Sequence, residues 1–119
     1  LIDFKLPKLN KKAFINMPKL NGLYLYNNEI EFIESDTFDN LVNLEELDLS
    51  YNKLKSLNPG WFRNLDQLEY LQMQCNSFEN FDVKFLDHLK SLKILFLEIE
   101  NKITSKILAE IEKNLTILY

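Results

Sequence analysis

Two glycines and three prolines are all that 119 residues contain of the usual loop formers. With 46% hydrophobic residues, the chain has enough apolar surface for a packed core, which excludes a loop-dominated or disordered protein. Two glycines cannot build a phosphate-cradling loop. The single cysteine, Cys75, excludes an internal disulfide and a multi-cysteine zinc site, and it leaves the redox compartment open. The single histidine, His88, has no second histidine to share a metal with, and no calcium-loop spacing occurs. No run approaches the roughly 20 apolar residues that a membrane-spanning helix needs. Basic residues number 14 against 18 acidic, a net charge of −4, so the basic footprint of a nucleic-acid binder or an anionic-lipid binder is missing. The chain opens from Leu1 directly into charged sequence without a leader pattern, which says little about export.

What the chain does have is a period. Leu44-Glu45-Glu46-Leu47-Asp48-Leu49-Ser50-Tyr51-Asn52-Lys53-Leu54 has the form LxxLxLxxNxL, and the same form starts at Leu20 and at Leu68. Counting the first leucine as position 1, position 1 holds Leu20, Leu44, Leu68 and Leu92. Position 4 holds Leu23, Leu47, Leu71 and Leu95, and position 6 holds Leu1, Leu25, Leu49, Met73 and Leu97. Position 11 holds Leu6, Ile30, Leu54 and Phe78, and position 14 holds Leu9, Ile33, Leu57 and Phe81. Position 19 holds Phe14, Phe38, Phe62 and Leu86, and position 22 holds Met17, Leu41, Leu65 and Leu89. Every residue at these positions through Leu97 is apolar, whereas composition alone would make fewer than half of them so. Position 9 is Asn28, Asn52 and Asn76.

This pattern resembles the leucine-rich repeat family, over essentially the whole chain. The 24-residue spacing with phenylalanine at position 19 is similar to the "typical" class found in Toll-like receptor ectodomains, Slit-type guidance proteins and insect leucine-rich immune proteins. The resemblance implies an α/β solenoid: a right-handed superhelix with a parallel β-sheet on its concave face. Turns and 3₁₀ segments are expected on the convex face. Alternation at positions 4 and 6 independently predicts strands at about 22–26, 46–50, 70–74 and 94–98, each with one buried face. A single such strand is unstable alone, and stacking buries each repeat against the next. The asparagine amide offers both a donor and an acceptor to backbone groups where strand meets turn, so Asn28, Asn52 and Asn76 are expected to form an interior structural ladder.

One leucine-rich repeat domain is expected over 1–119: a partial repeat 1–19, repeats 20–43, 44–67 and 68–91, and a divergent terminal repeat or cap 92–119. Phe4 takes the asparagine position of the first repeat, which reads either as part of an excised array or as a cap. After Leu97 the pattern changes. Ile103, Ile107, Ile111, Leu115 and Leu118 follow spacings of three and four, predicting a capping helix at about 104–114 with Thr104 or Ser105 as N-cap. The alternative is that Leu115 and Leu118 begin a further strand.

Positions 3, 5, 7 and 8 face outward from the expected sheet and form the candidate partner-binding surface. They gather Tyr24, Tyr26, Glu46, Asp48, Tyr51, Tyr70, Gln72 and Phe96. Exposed tyrosines are common protein-binding anchors, and the adjacent carboxylates favour a protein ligand with a basic patch. Ile94, Phe96 and Ile99 form an apolar patch suited to a partner, to a second copy of the chain, as an exposed end also is, or to a following segment that folds back. Cys75 and His88 fall on different sides of the repeat, so they do not form a nucleophile–base pair. No enzyme activity, cofactor or metal is expected, and neither nucleic acid nor membrane insertion. The expected function is non-enzymatic protein binding. The family resemblance points to extracellular immune or cell-surface recognition and a secreted or extracellular location, with an intracellular scaffold or adaptor as the alternative. Asn114-Leu115-Thr116 is a glycosylation sequon at Asn114, compatible with export.

Overall fold

The computed structural model describes residues 7–79, 83–97 and 116–118. Its main sheet has five parallel strands in the order β2 (Gly22–Tyr24), β4 (Glu46–Asp48), β5 (Tyr70–Gln72), β6 (Ile94–Phe96) and β7 (Thr116–Leu118). Leu23 lies opposite Leu47, Leu47 opposite Leu71, and Leu71 opposite Leu95, so one sequence period advances the chain by one strand. Leu23, Leu47, Leu71 and Leu95 are buried, as are Leu25, Leu49, Met73 and Leu97 two residues further on. Two-residue alternation thus puts both members of each pair into one core. A smaller parallel pair, β1 (Lys8–Leu9) with β3 (Phe32–Ile33), repeats the same register in the returning segment.

Each strand is shorter than the alternation predicts, ending at position 5 rather than position 7. Backbone pairing continues beyond that point: Leu25 N–H donates to Asp48 C=O at 2.8 Å and Tyr51 N–H to Gln74 C=O at 3.0 Å. At position 8, Asn27, Tyr51 and Cys75 adopt left-handed backbone, with φ of 59°, 54° and 58°. None is glycine; asparagine visits this conformation, but it costs a residue such as Tyr51 or Cys75 about 1–2 kcal/mol. The adjacent asparagine side chain offsets that strain.

Asn52 is buried between two turns. Its Oδ1 accepts from the N–H groups of Asn28 and Ile30, both at 3.0 Å. Its Nδ2 donates to Leu25 C=O in the preceding repeat, and to Leu49 and Ser50 C=O in its own. Asn76 repeats the arrangement, donating to Leu49 C=O at 2.8 Å and accepting from Leu54 N–H at 3.1 Å. Asn28 donates to Leu25 and Tyr26 C=O. Leu25 and Leu49 carbonyls therefore each receive two asparagine amides, which link consecutive turns.

The chain returns through 3₁₀ turns at Lys11–Phe14, Pro59–Phe62 and Val83–His88. Two are capped from position 15, where Asn10 Oδ1 accepts from Lys12 N–H and Asn58 Oδ1 from Gly60 N–H. A further core position emerges here that sequence spacing alone missed. Position 18 is Ala13, Thr37, Trp61 and Phe85, and the last three are buried. Trp61 Nε1 donates to Ile33 C=O at 2.8 Å, and Thr37 Oγ1 reaches the equivalent carbonyl of Leu9 at 3.3 Å. Phe62 packs against Trp61 and Phe85 with ring centroids 6.0 and 5.6 Å apart.

Met17 departs from the expected core, being 47% exposed. The buried residues at its position, Leu41, Leu65 and Leu89, each have a preceding repeat, and among the described residues Met17 has none. Leu1, Leu6 and Phe81 lie outside the described residues, as does the helix expected at 104–114. The alternative of a further strand near the end has a counterpart in β7. The register there sets Ile117 opposite Leu95 and Leu118 opposite Phe96, so Leu118 does not share the register of the buried leucines, and Leu115 lies outside the described residues.

Replacing Asn52 with alanine removes an amide from five backbone groups. Asn52→Ala is expected to lower stability by about 1–3 kcal/mol. Asn64→Ala, which loses one exposed bond to Asp39 C=O, should cost less than about 0.5 kcal/mol. Urea unfolding followed by fluorescence of buried Trp61, the only tryptophan, measures both; equal midpoints would contradict the ladder's structural role.

Candidate partner-binding face

The outward positions of the sheet are 3 and 5, and register sets them in two stripes. Gly22, Glu46, Tyr70 and Ile94 form one, and Tyr24, Asp48, Gln72 and Phe96 the other. Neighbours within a stripe are one strand spacing apart, roughly 4.8 Å, so side chains of different repeats meet. They enclose a shallow depression of about 180 Å³ lined by Tyr24, Glu46, Leu47, Asp48, Tyr70, Gln72 and Phe96. Small-molecule sites run to about 300–1,000 Å³. This space is smaller, on the scale of a single side chain.

Six of the eight residues expected at the binding surface line this depression. Tyr26 and Tyr51 do not: positions 7 and 8 belong to the turn, where Tyr26 is half-buried and Tyr51 stands 58% exposed on its left-handed backbone. Asp48 also differs from expectation. Spacing puts its carboxylate in the open, yet it is only 8% exposed, because it folds down to accept from both N–H and Oγ of buried Ser50 through one oxygen, Oδ1. Gln72 is half-buried and accepts from Gln74 Nε2. Ile94 and Phe96 are half-buried on β6, which β7 flanks; Ile99, the third residue of the expected apolar patch, lies outside the described residues. Asn114 does too, while Thr116, the third residue of its sequon, opens β7.

Tyr24 and Tyr70 are exposed. Tyr24 is held in place by two features of the sequence. Its hydroxyl donates to Glu46 Oε2 on the neighbouring strand. Its ring lies over Gly22, where a Cβ would come within 2.7 Å of the hydroxyl oxygen. Glycine at this point makes room for the ring to lie down toward the carboxylate. The hydrogen bond to Glu46, then burial and the charges of Glu46 and Asp48, raise the phenol above its usual value of 10.0. Elsewhere, charged pairs link adjacent repeats outside the depression: Arg63 with Asp39, and Lys93 with Glu69. With the cation in solvent, such pairs are screened and add little to stability.

Among the described residues no group of three or more histidine, cysteine, aspartate or glutamate side chains comes together as a metal site. A family model described as leucine rich repeat matches residues 4–54 and 43–103. No curated protein matches the chain.

Tyr24 is therefore expected to titrate above the ordinary phenol range. The raised folded-state value favours the neutral phenol, so the Tyr24–Glu46 link contributes its full stability below about pH 10 and loses it as pH rises through the higher folded-state value. Tyrosine absorbance at 295 nm, or NMR of the ring carbons, measures this. Glu46→Ala should return Tyr24 toward 10, and Gly22→Ala should do so by displacing the ring. An unaltered titration in Gly22→Ala would rule out the resting place of the ring on Gly22.

Proposed function

Because the chain belongs to the leucine-rich repeat family, we propose that the outer face of its sheet binds a protein ligand, centred on Tyr24, Tyr70 and Phe96. Family members generally mediate protein–protein contact and are typically non-enzymatic. The single observation that carries the reading is the depression between Tyr24 and Phe96, where side chains from four consecutive strands converge on a face the core does not use. Exposed aromatics around a concavity are the usual composition of a binding hot spot, and Glu46 adds electrostatic selection for a basic partner. The reading extends to a curved, right-handed coil of the typical 24-residue class with this sheet on its inner side. By resemblance to Toll-like receptor ectodomains and insect leucine-rich immune proteins, the setting is extracellular recognition in immunity or at the cell surface.

The test is crosslinking capture from native extracellular fluid and from cell extract, using the chain with Tyr24→Ala or Tyr70→Ala. Asp66→Ala, an exposed acid away from this face, is the control. A central anchor should cost about 2 kcal/mol or more of binding, roughly thirtyfold in affinity, with unfolding midpoints unchanged. Capture that persists in both tyrosine variants, or is lost only with unfolding, would reject the face. Capture from the cell extract alone would reject the extracellular setting.

A further inference from the structure

Building on that protein-binding reading, we propose that the depression on the sheet receives the guanidinium of one arginine side chain supplied by the partner. Its walls are aromatic, with Tyr24, Tyr70 and Phe96, and two carboxylates, Glu46 and Asp48, line it as well. No lysine or arginine is among the lining residues. The ion-paired cations Arg63 and Lys93 are held elsewhere, by Asp39 and Glu69. Among the described residues, the negative charge in the depression therefore has no lysine or arginine lining it.

The hydrogen bonding of the two acids narrows the ligand further. Glu46 accepts from Tyr24 through Oε2, and Asp48 accepts both Ser50 bonds through Oδ1. Each acid thereby has one oxygen fixed by the fold, and among the described residues the second accepts no hydrogen bond. Glu46 and Asp48 are two residues apart on β4, so both lie on the same face of one strand. A planar guanidinium can donate N–H groups to two such oxygens while its flat surfaces rest on aromatic rings. A lysine ammonium is compact and strongly hydrated, and it fits a mostly covered carboxylate such as Asp48 less well. The space holds one side chain, which matches a single inserted anchor.

The probes are N-acetyl-arginine amide and its citrulline and lysine counterparts, titrated into the intact chain. Binding is read from the NMR ring resonances of Tyr24, Tyr70 and Phe96. Saturable shifts are expected with the arginine compound, with at least tenfold weaker binding for the uncharged citrulline isostere and weaker binding for lysine. Glu46→Gln and Asp48→Asn remove charge yet keep an oxygen to accept from Tyr24 and Ser50. Each should weaken arginine binding about tenfold without moving the unfolding midpoint. Equal binding of citrulline, lysine binding as tight as arginine, or indifference to both isosteric variants would overturn the proposal. The two readings separate in the capture assay. If Tyr70→Ala loses the partner while Glu46→Gln and Asp48→Asn retain it fully, the face binds protein but the arginine pocket is wrong. If the arginine compound binds while Tyr24→Ala and Tyr70→Ala still capture the partner, the protein-binding reading fails, and with it the assignment of this pocket to a partner's arginine.

Discussion

The structure depends on the asparagine amide that joins one turn to the next. Asn52 satisfies two buried N–H groups and three carbonyls, from its own repeat and the preceding one. Without it, the N–H groups of Asn28 and Ile30 would lose this acceptor inside the stack, at about 1–3 kcal/mol, while the three carbonyls would keep donors from Asn28, Asn76 and Asn27. The amide also makes the left-handed residue at position 8 tolerable. A tyrosine or cysteine does not choose φ near +55° unaided; it adopts it where its neighbours' hydrogen bonds require the chain to turn. Since Leu25 and Leu49 carbonyls are each shared by two asparagines, the bonds run along the stack and no repeat is satisfied alone.

Much of this was legible in the sequence because it is periodic and chemically uniform. The leucines at positions 4 and 6 must alternate to reach one core, and asparagine recurs where both a donor and an acceptor are needed. Position 18 was illegible for the opposite reason. Ala13, Thr37, Trp61 and Phe85 share no polarity or size, yet three of them are buried. What Thr37 and Trp61 have in common is a donor that reaches a carbonyl 28 residues earlier, a relation across repeats that spacing within one repeat does not reveal. Met17 fails in another way: its residue type fits the pattern, but its burial depends on a neighbouring repeat.

The candidate face was legible by position and misjudged by conformation. Alternation correctly separates Tyr24 from Leu25, but it treats every outward residue as equally open. Asp48 is covered because a serine two residues on offers it two donors. Tyr24 lies flat because Gly22 has no side chain. Both effects operate through nearby residues, in one case through the turn that follows the strand and in the other through an absent Cβ, and neither alters the hydrophobic period.

The two halves of the structure are linked by strand length. Because the asparagine turn begins at position 7, only positions 3 and 5 remain on the regular sheet, and the face is two stripes wide. That removes Tyr26 and Tyr51 from the depression and leaves Glu46, Asp48 and the three aromatics as its distinctive chemistry. A longer strand would have made a broader and flatter surface. The hydrogen bonds that stabilise the stack thus also narrow the candidate face. Within it, substitutions at positions 3 and 5 alter the outward surface without disturbing the leucines on the opposite side, since the two sets point to opposite faces of the same strands.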